Sequence, residues 1–406
     1  MSLLPALRRD LDLIPSPVAD RPGLLMRDSF GYSEGAIIIP PVLVKCLRCF
    51  DGRHTVNDLR ELLVRLTGYL DVDTMATGLL NALEQNAFLD NETFADRRDT
   101  RQREFAQSAT RTPAHAGTAY PAELDPLQET MRRYLGNDEP VPAGKVRAIA
   151  APHVSPEGGW KSYRAAYQAL PPEDADCTFI ILGTSHYGEC NKFGLTHKPY
   201  ITPLGTPRVD SGIVSELASA RCAKMDDYCH AVEHSIEFQV LFLQWLYGAN
   251  VKVVPVLCGS FAPSIDAGGV PEDDADVREF FDRLGEISER EGDGLRWVLG
   301  IDMAHQGQRY GDAFAARAHQ DGMTEVTRRD QLRMNRMLAG DAAGFWDLVR
   351  ENRDDLRWCG SAPAYTFLKV MPQARGRLHN YEQWNIDDAS VVSFAGLSFT
   401  CDPAPR

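Results

Sequence analysis

Val146-Arg147-Ala148-Ile149-Ala150-Ala151-Pro152-His153 sets the reading of the whole chain: a short, nearly unbroken apolar run that ends in proline and then histidine. Three further stretches share its character, Cys177-Thr178-Phe179-Ile180-Ile181-Leu182-Gly183, Val251-Lys252-Val253-Val254-Pro255-Val256-Leu257 and Trp297-Val298-Leu299-Gly300-Ile301. Continuous apolar runs of this length, rich in β-branched residues, suit strands of a sheet covered on both faces. Helical patterns at 233–247 and 276–290 lie between them, and strand–helix alternation predicts a three-layer α/β sandwich for residues 107–406. The Pro-, Gly- and acid-rich segment 260–274 reads as a surface loop.

Upstream, residues 1–106 read as a separate small α+β domain. Ile37-Ile38-Ile39 before Pro40-Pro41 predicts a short strand stopped by prolines. Residues 42–50 suit a helix ending at Asp51-Gly52. Thr55, three residues before Asp58, is a helix N-cap pattern, with Leu59, Leu62, Leu63 and Leu66 following at helical spacing and Gly68 closing the helix. Asp71 or Asp73 is expected to cap the next helix, whose inner face carries Met75, Leu79, Leu80 and Leu83. The short helices and strands together predict a winged-helix-like module. Residues 96–114, polar and rich in Arg, Gln and Thr, read as a linker with a helical start.

Composition narrows the functions. Of the 406 residues 44% are apolar and 25% charged, enough apolar mass for a large core, and the net charge is −14. The first 106 residues carry 13 Lys/Arg against 16 Asp/Glu, which argues against a DNA-reading winged helix and for a protein or peptide partner. No apolar run approaches the roughly 18 residues of a membrane span, and charges interrupt the N-terminus, so no membrane segment and a cytoplasmic location are expected. Nine irregularly spaced cysteines do not form a disulfide framework. Cys46 and Cys49 form a C-x-x-C without a second ligand pair nearby and are expected in the core.

Three of the predicted strands end in polar clusters containing histidine: Pro152-His153, Thr184-Ser185-His186 and Asp302-Met303-Ala304-His305. Ligands gather beyond the carboxyl ends of strands in open α/β sheets, so one edge of the sheet would collect the groups of a metal or acid/base site. Glu233-His234-Ser235-Ile236-Glu237 opens a helix. His234 and Glu237 share a face and read equally as site residues or as structural ones, whereas Glu233 reads as an acid at the positive end of the helix dipole.

Taken in order, Ala114-His115-Ala116-Gly117-Thr118-Ala119-Tyr120-Pro121, Ala151-Pro152-His153, Ile181-Leu182-Gly183-Thr184-Ser185-His186, Thr202-Pro203-Leu204-Gly205, Glu233-His234-Ser235-Ile236-Glu237, Asp302-Met303-Ala304-His305-Gln306-Gly307 and Cys359-Gly360 resemble the Memo family, as do Asn380-Tyr381 and the run from Ser390 to Ala395. Its members are also called protein B of the AmmeMemoRadiSam system. The resemblance implies a class III extradiol dioxygenase-like fold and a metal held by two histidines and a cysteine, here His153, His186 and Cys359. His305, with Asp302 beside it, takes the acid/base place of the dioxygenase relatives, and His234 joins them as a catalytic candidate. His115 has a supporting role. Phe50-Asp51-Gly52-Arg53-His54-Thr55-Val56, with Leu80-Asn81-Ala82-Leu83 and Phe88-Leu89, resembles PqqD-like domains. That resemblance implies a module that binds a precursor peptide or docks on a radical-SAM partner.

Two imidazoles and a thiolate suit iron(II), copper or zinc and not magnesium or calcium. Iron(II) is the first expectation. The thiolate stands where dioxygenases use a carboxylate, which argues against ordinary catechol cleavage. The sequence departs from the family in Val154-Ser155-Pro156-Glu157 after His153, in Tyr187 after His186 and in Met303-Ala304, all on the expected pocket wall. Two functions follow: an iron-dependent oxidoreductase acting on a small aromatic or a peptide, or a non-catalytic peptide scaffold or Cu(I) store. A third, weaker reading is a vestigial site on a partner of a radical-SAM enzyme. Nucleic acid is not expected as a partner.

Overall fold

In a computed structural model of the chain, residues 3–401 are described except 17, 19, 34 and 137–144. The chain divides into two compact units, Met1–Gln107 and Ser108–Arg406. In the first, β1 (Leu11–Pro15), β2 (Leu24–Asp28) and β3 (Ala36–Ile39) form an antiparallel sheet in that order. A helical turn (Pro41–Val44), a 3-10 turn (Lys45–Cys49) and the helices Val56–Thr67, Asp73–Gln85 and Glu92–Gln107 follow.

Thr55 and Asp58 form a reciprocal capping box, and Gly68 ends the helix at φ 75°. Leu59, Leu62, Leu63, Leu79 and Leu83 are buried together with Cys46 and Cys49. Three expectations need correction. Residues 42–50 split into two short turns. The helix Asp73–Gln85 begins after Val72, with no side-chain cap. The expected linker is helical to Gln107, because its Arg, Gln and Glu are good helix formers and Phe94 and Phe105 are buried along it. All three strands precede the helices, and among the described residues no wing follows them, so a winged helix is not what the sheet displays.

The second unit is built on one ten-stranded mixed sheet among the described residues. Its strands are β4 (Val146–Ala151), β5 (Thr178–Thr184), β6 (Phe193–Leu195), β7 (Arg208–Val209), β8 (Ala223–Met225), β9 (Lys252–Cys258), β10 (Leu295–Gly300), β11 (His305–Gly307), β12 (Arg375–Asp387) and β13 (Ser390–Thr400). The order is β11-β13-β4-β10-β5-β9-β6-β8, with β12 on β13 and β7 on β9. The four apolar runs are the parallel centre, β4-β10-β5-β9.

Alternate residues of each central strand enter different cores, which explains the unbroken apolar runs. Ile180, Leu182, Trp297 and Leu299 join one core with Phe280 and Phe367, while Phe179, Ile181 and Val298 join the other with Tyr163, Val240 and Phe242. Helices thus cover both faces, giving an α/β sandwich. The segment expected as a loop at 260–274 carries a short helix (Ala262–Ala267) and a 3-10 turn (Pro271–Asp273). Pro263 sits near the start of the first, and Gly268 closes it at φ 77°. Among the described residues no helix is long and apolar enough to cross a membrane.

Candidate metal centre

β10 lies between β4 and β5, and each of the three strands places a site residue two positions past its last residue: His153 after Ala151, Asp302 after Gly300 and His186 after Thr184. Parallel pairing puts those three ends at one edge. The helix His234–Tyr247 brings its first turn to the same edge. A Cβ on Gly300 would fall 2.2 Å from the Ser235 carbonyl oxygen, so only glycine permits that approach. Ser235 Oγ donates to the Thr184 carbonyl (2.9 Å), and Gln239 Nε2 donates to the Pro152 carbonyl (2.7 Å), fixing both loops against the helix.

Cys359 arrives on the turn before the helix Ser361–Val370. Gly360 packs against the end of β10, where a Cβ would meet Ile301 Cβ at 2.5 Å and the Asp302 carbonyl at 2.7 Å. The Gly360 N–H donates to that carbonyl (3.1 Å), and Thr184 Oγ1 donates to the Cys359 carbonyl (3.1 Å).

One nitrogen from each of His153, His186 and His234 lies within 4.8 Å of the others, and their ring centroids are 5.0–5.1 Å apart. Cys359 Sγ is 3.2 Å from His153 Nε2. Tetrahedral N and S ligands at ordinary metal distances are about 3.5 Å apart, so Cys359 and His153 have the spacing of two ligands of one ion, while the three histidines are the group whose nitrogens are all in mutual reach. Second contacts fix the free nitrogens. His153 Nδ1 is 2.9 Å from the Gly300 carbonyl, and His186 Nδ1 is 3.0 Å from the Glu233 carboxylate, so Nε2 of each is the nitrogen an ion would take, on His186 in exchange for a proton. The structure thus brings His153 and His186 together and sets Cys359 against His153. His234, expected as catalytic, stands in the same group of nitrogens.

Glu233 is the residue whose duty the sequence reading missed. It does cap its helix, accepting from the N–H groups of His234 and Ser235, but it also accepts from the backbone and ring of His186 and lies 3.2 Å from His234 Nδ1. The signal was present: an N-cap carboxylate directly before a histidine has oxygen to spare for a second neighbour. Burial works against its charge, yet His186 and His234 hold the carboxyl well below its usual range. Burial likewise works against protonation of His186, but the Glu233 carboxylate prevails and raises it.

Glu237 points elsewhere. Its buried carboxylate pairs with Arg111, and it accepts from the Tyr120 hydroxyl and from the N–H groups of Ala114 and His115 (both 3.1 Å). Arg111 also donates to the carbonyls of His230 and Glu233. Glu237 thus anchors the 111–120 segment, and the structural reading holds for it. His115 donates from Nε2 to the Val232 carbonyl (2.9 Å), and its ring packs edge-on against His234.

Asp302 accepts from the His153 N–H (2.9 Å) and stands 3.6 Å from His153 Nε2. Its burial raises the carboxyl above the usual range. His305 begins β11, with Nδ1 2.9 Å from the Met303 carbonyl. Burial lowers its ring to about 4, so it is neutral near pH 7. Burial also lowers His153 well below its ordinary value and raises the Cys359 thiol.

A family model described as Memo-like protein matches residues 111–398. The chain belongs to the Memo family. A MEMO1 family protein of Thermococcus kodakarensis, TK1477, is 34% identical over 313 residues, covering 71% of this chain and 99% of the relative. One from Aquifex aeolicus is 27% identical over 395 residues, covering 94% of this chain and 97% of the relative, so that alignment extends into the first unit. Another, MK0963 of Methanopyrus kandleri, is 28% identical over 71% of this chain. Every residue of the centre lies inside the stretch matched to the Memo family, whereas residues before Arg111 lie outside it.

Proposed function

We propose that His153, His186 and Cys359 hold a single transition-metal ion, iron(II) first, and that the centre serves an oxidoreductase acting on a small aromatic or peptide substrate. The observation that carries this reading is the convergence of two oriented imidazoles, from the carboxyl ends of β4 and β5, with a thiol from the turn before the helix Ser361–Val370. Magnesium and calcium do not suit such donors. The ion would supply redox and Lewis-acid chemistry. The chain supplies the rest. Glu233 and the Gly300 carbonyl set the ligand tautomers, neutral His305 accepts a proton from substrate, and Asp302 holds the loop carrying His153. The extradiol dioxygenase-like reading of the fold belongs to this proposal.

A second reading, a three-histidine set with Cys359 outside it, is favoured by the mutual reach of the three ring nitrogens. The non-catalytic alternative, a peptide scaffold or Cu(I) store, uses the same donors without His305. For the first unit we propose peptide or radical-SAM partner docking, as its PqqD-like resemblance implies. The sheet β1-β2-β3 supports it, since among the described residues β1 and β3 each pair with one strand only and extended peptides add to such edges.

The test is elemental analysis of anaerobically purified protein with His186→Ala and His305→Ala variants, followed by oxygen uptake. About one iron per chain, lost in His186→Ala and retained in an inactive His305→Ala, supports the enzyme. Copper without turnover supports the store, and absence of metal from wild type contradicts both.

A further inference from the structure

A cavity of about 300 Å³ opens beside the metal centre, with His186 and Cys359 on its wall. Its size is at the lower end for ligand sites and equals the room of about ten waters, enough for one ring with a short substituent. Phe261, Ile265, Trp346 and Trp358 line it. Both indole N–H groups are already committed, Trp346 to the Gly269 carbonyl (2.9 Å) and Trp358 to Asp330 (2.6 Å), so those rings offer the cavity only apolar surface.

The charged residues on the wall are committed too. Arg357 pairs with Asp312 (2.7 Å) and donates to the His305 carbonyl, and Asp354 pairs with Arg333 (2.6 Å). Ser185 and Ser361 are different. Both line the cavity, both are more than nine-tenths buried, and neither hydroxyl has a hydrogen-bond partner. A buried hydroxyl left without a partner costs about 1–3 kcal/mol, and two of them on one cavity wall call for an occupant. Both oxygens are shielded as the side chains stand, so meeting an occupant requires each to change its χ1 rotamer.

We infer that this cavity is a binding subsite for a neutral, ring-sized molecule bearing a hydroxyl or comparable hydrogen-bonding substituent, which Ser185 and Ser361 recognise while the aromatic wall holds its ring. The inference deepens the proposed function by naming the ligand class at that site. Binding in the cavity itself does not require the metal.

Benzyl alcohol serves as the probe, titrated calorimetrically into the full-length protein, with benzoate and benzylamine as charged counterparts and metal content measured in parallel. Wild type should bind benzyl alcohol saturably, and at least tenfold more tightly than either charged analogue. Ser185→Ala with Ser361→Ala should weaken binding at least fivefold, yet without ligand this variant should melt no lower than wild type, because it loses two unsatisfied groups. Ile265→Trp, which fills the cavity, should abolish binding. Saturable binding by metal-free wild type would sustain the subsite even if the metal assignment fell. Failure of wild type to bind, equal affinity for a charged analogue, undiminished binding by Ile265→Trp or by the serine variant, or a lower melting temperature of the unliganded serine variant would each overturn the inference.

Discussion

Glu233 and Glu237 stand one helical turn apart, both fully buried, and they do unlike work. Glu233 faces the histidines, spreading its two oxygens over its own helix end and His186. Glu237 faces Arg111, Tyr120 and the backbone of Ala114 and His115, tying down the start of the second unit. One carboxylate tunes ligands and the other secures a chain crossing. The difference teaches that a buried acid near a site is interpreted by what accompanies it: a permanent cation makes an anchor, and titratable imidazoles make an orienting group.

The largest effect that would break the comparison is expected at the anchor. Glu237→Gln leaves Arg111 buried without its counter-charge, which costs about 3–5 kcal/mol. The melting temperature should fall on the order of 10 °C, while the folded fraction keeps its metal stoichiometry. Loss of metal at unchanged stability would mean that the two glutamates had been assigned the wrong way round. Glu233→Gln should do the reverse, weakening metal affinity about 10–100-fold. An unchanged affinity in a competition titration would reduce Glu233 to a helix cap.

Acid sharpens the contrast. Burial alone would raise the Glu237 carboxyl, but Arg111, His115 and Tyr120 override it and hold it below its usual range. A carboxyl depressed on folding contributes stability that is fully present above its unfolded value of about 4.3 and is lost as pH falls through the folded value. The stability gap between wild type and Glu237→Gln, followed by denaturant melts, should therefore be constant near neutrality and shrink only below about pH 4. A gap that already closes between pH 5 and 7 would indicate a histidine in its place. The smallest effect is a control. Thr55 caps a helix but has no second duty, so Thr55→Ala should cost about 1 kcal/mol within the first unit and leave metal affinity untouched.

Much of this was legible in the sequence for a physical reason. The central strands show as unbroken apolar runs because both of their faces are covered, and the residues that follow them must lie at one edge of the sheet. The long hairpin β12–β13 was not legible as a hairpin. β12 reads RGRLHNYEQWNID, nearly without apolar alternation, and it is held as a strand by its pairing with β13. The helix at Ala262–Ala267 was hidden by the Pro and Gly that in fact bound it. Cys359 alone looks like any core thiol, and only the family resemblance singled it out. Its approach depends on Gly360 fitting against Ile301, a contact between residues distant in sequence. The second duty of Glu233 was missed because capping already accounted for an acid at that position.

The most direct test of the central claim is the absorption spectrum of the Co(II)-loaded protein, compared among wild type, Cys359→Ser and His234→Ala. A sulfur-to-cobalt charge-transfer band in wild type and in His234→Ala, absent from Cys359→Ser together with tight binding, is the predicted result. Tight binding without that band in wild type, abolished by His234→Ala and unaffected by Cys359→Ser, would contradict it and assign the metal to the three histidines.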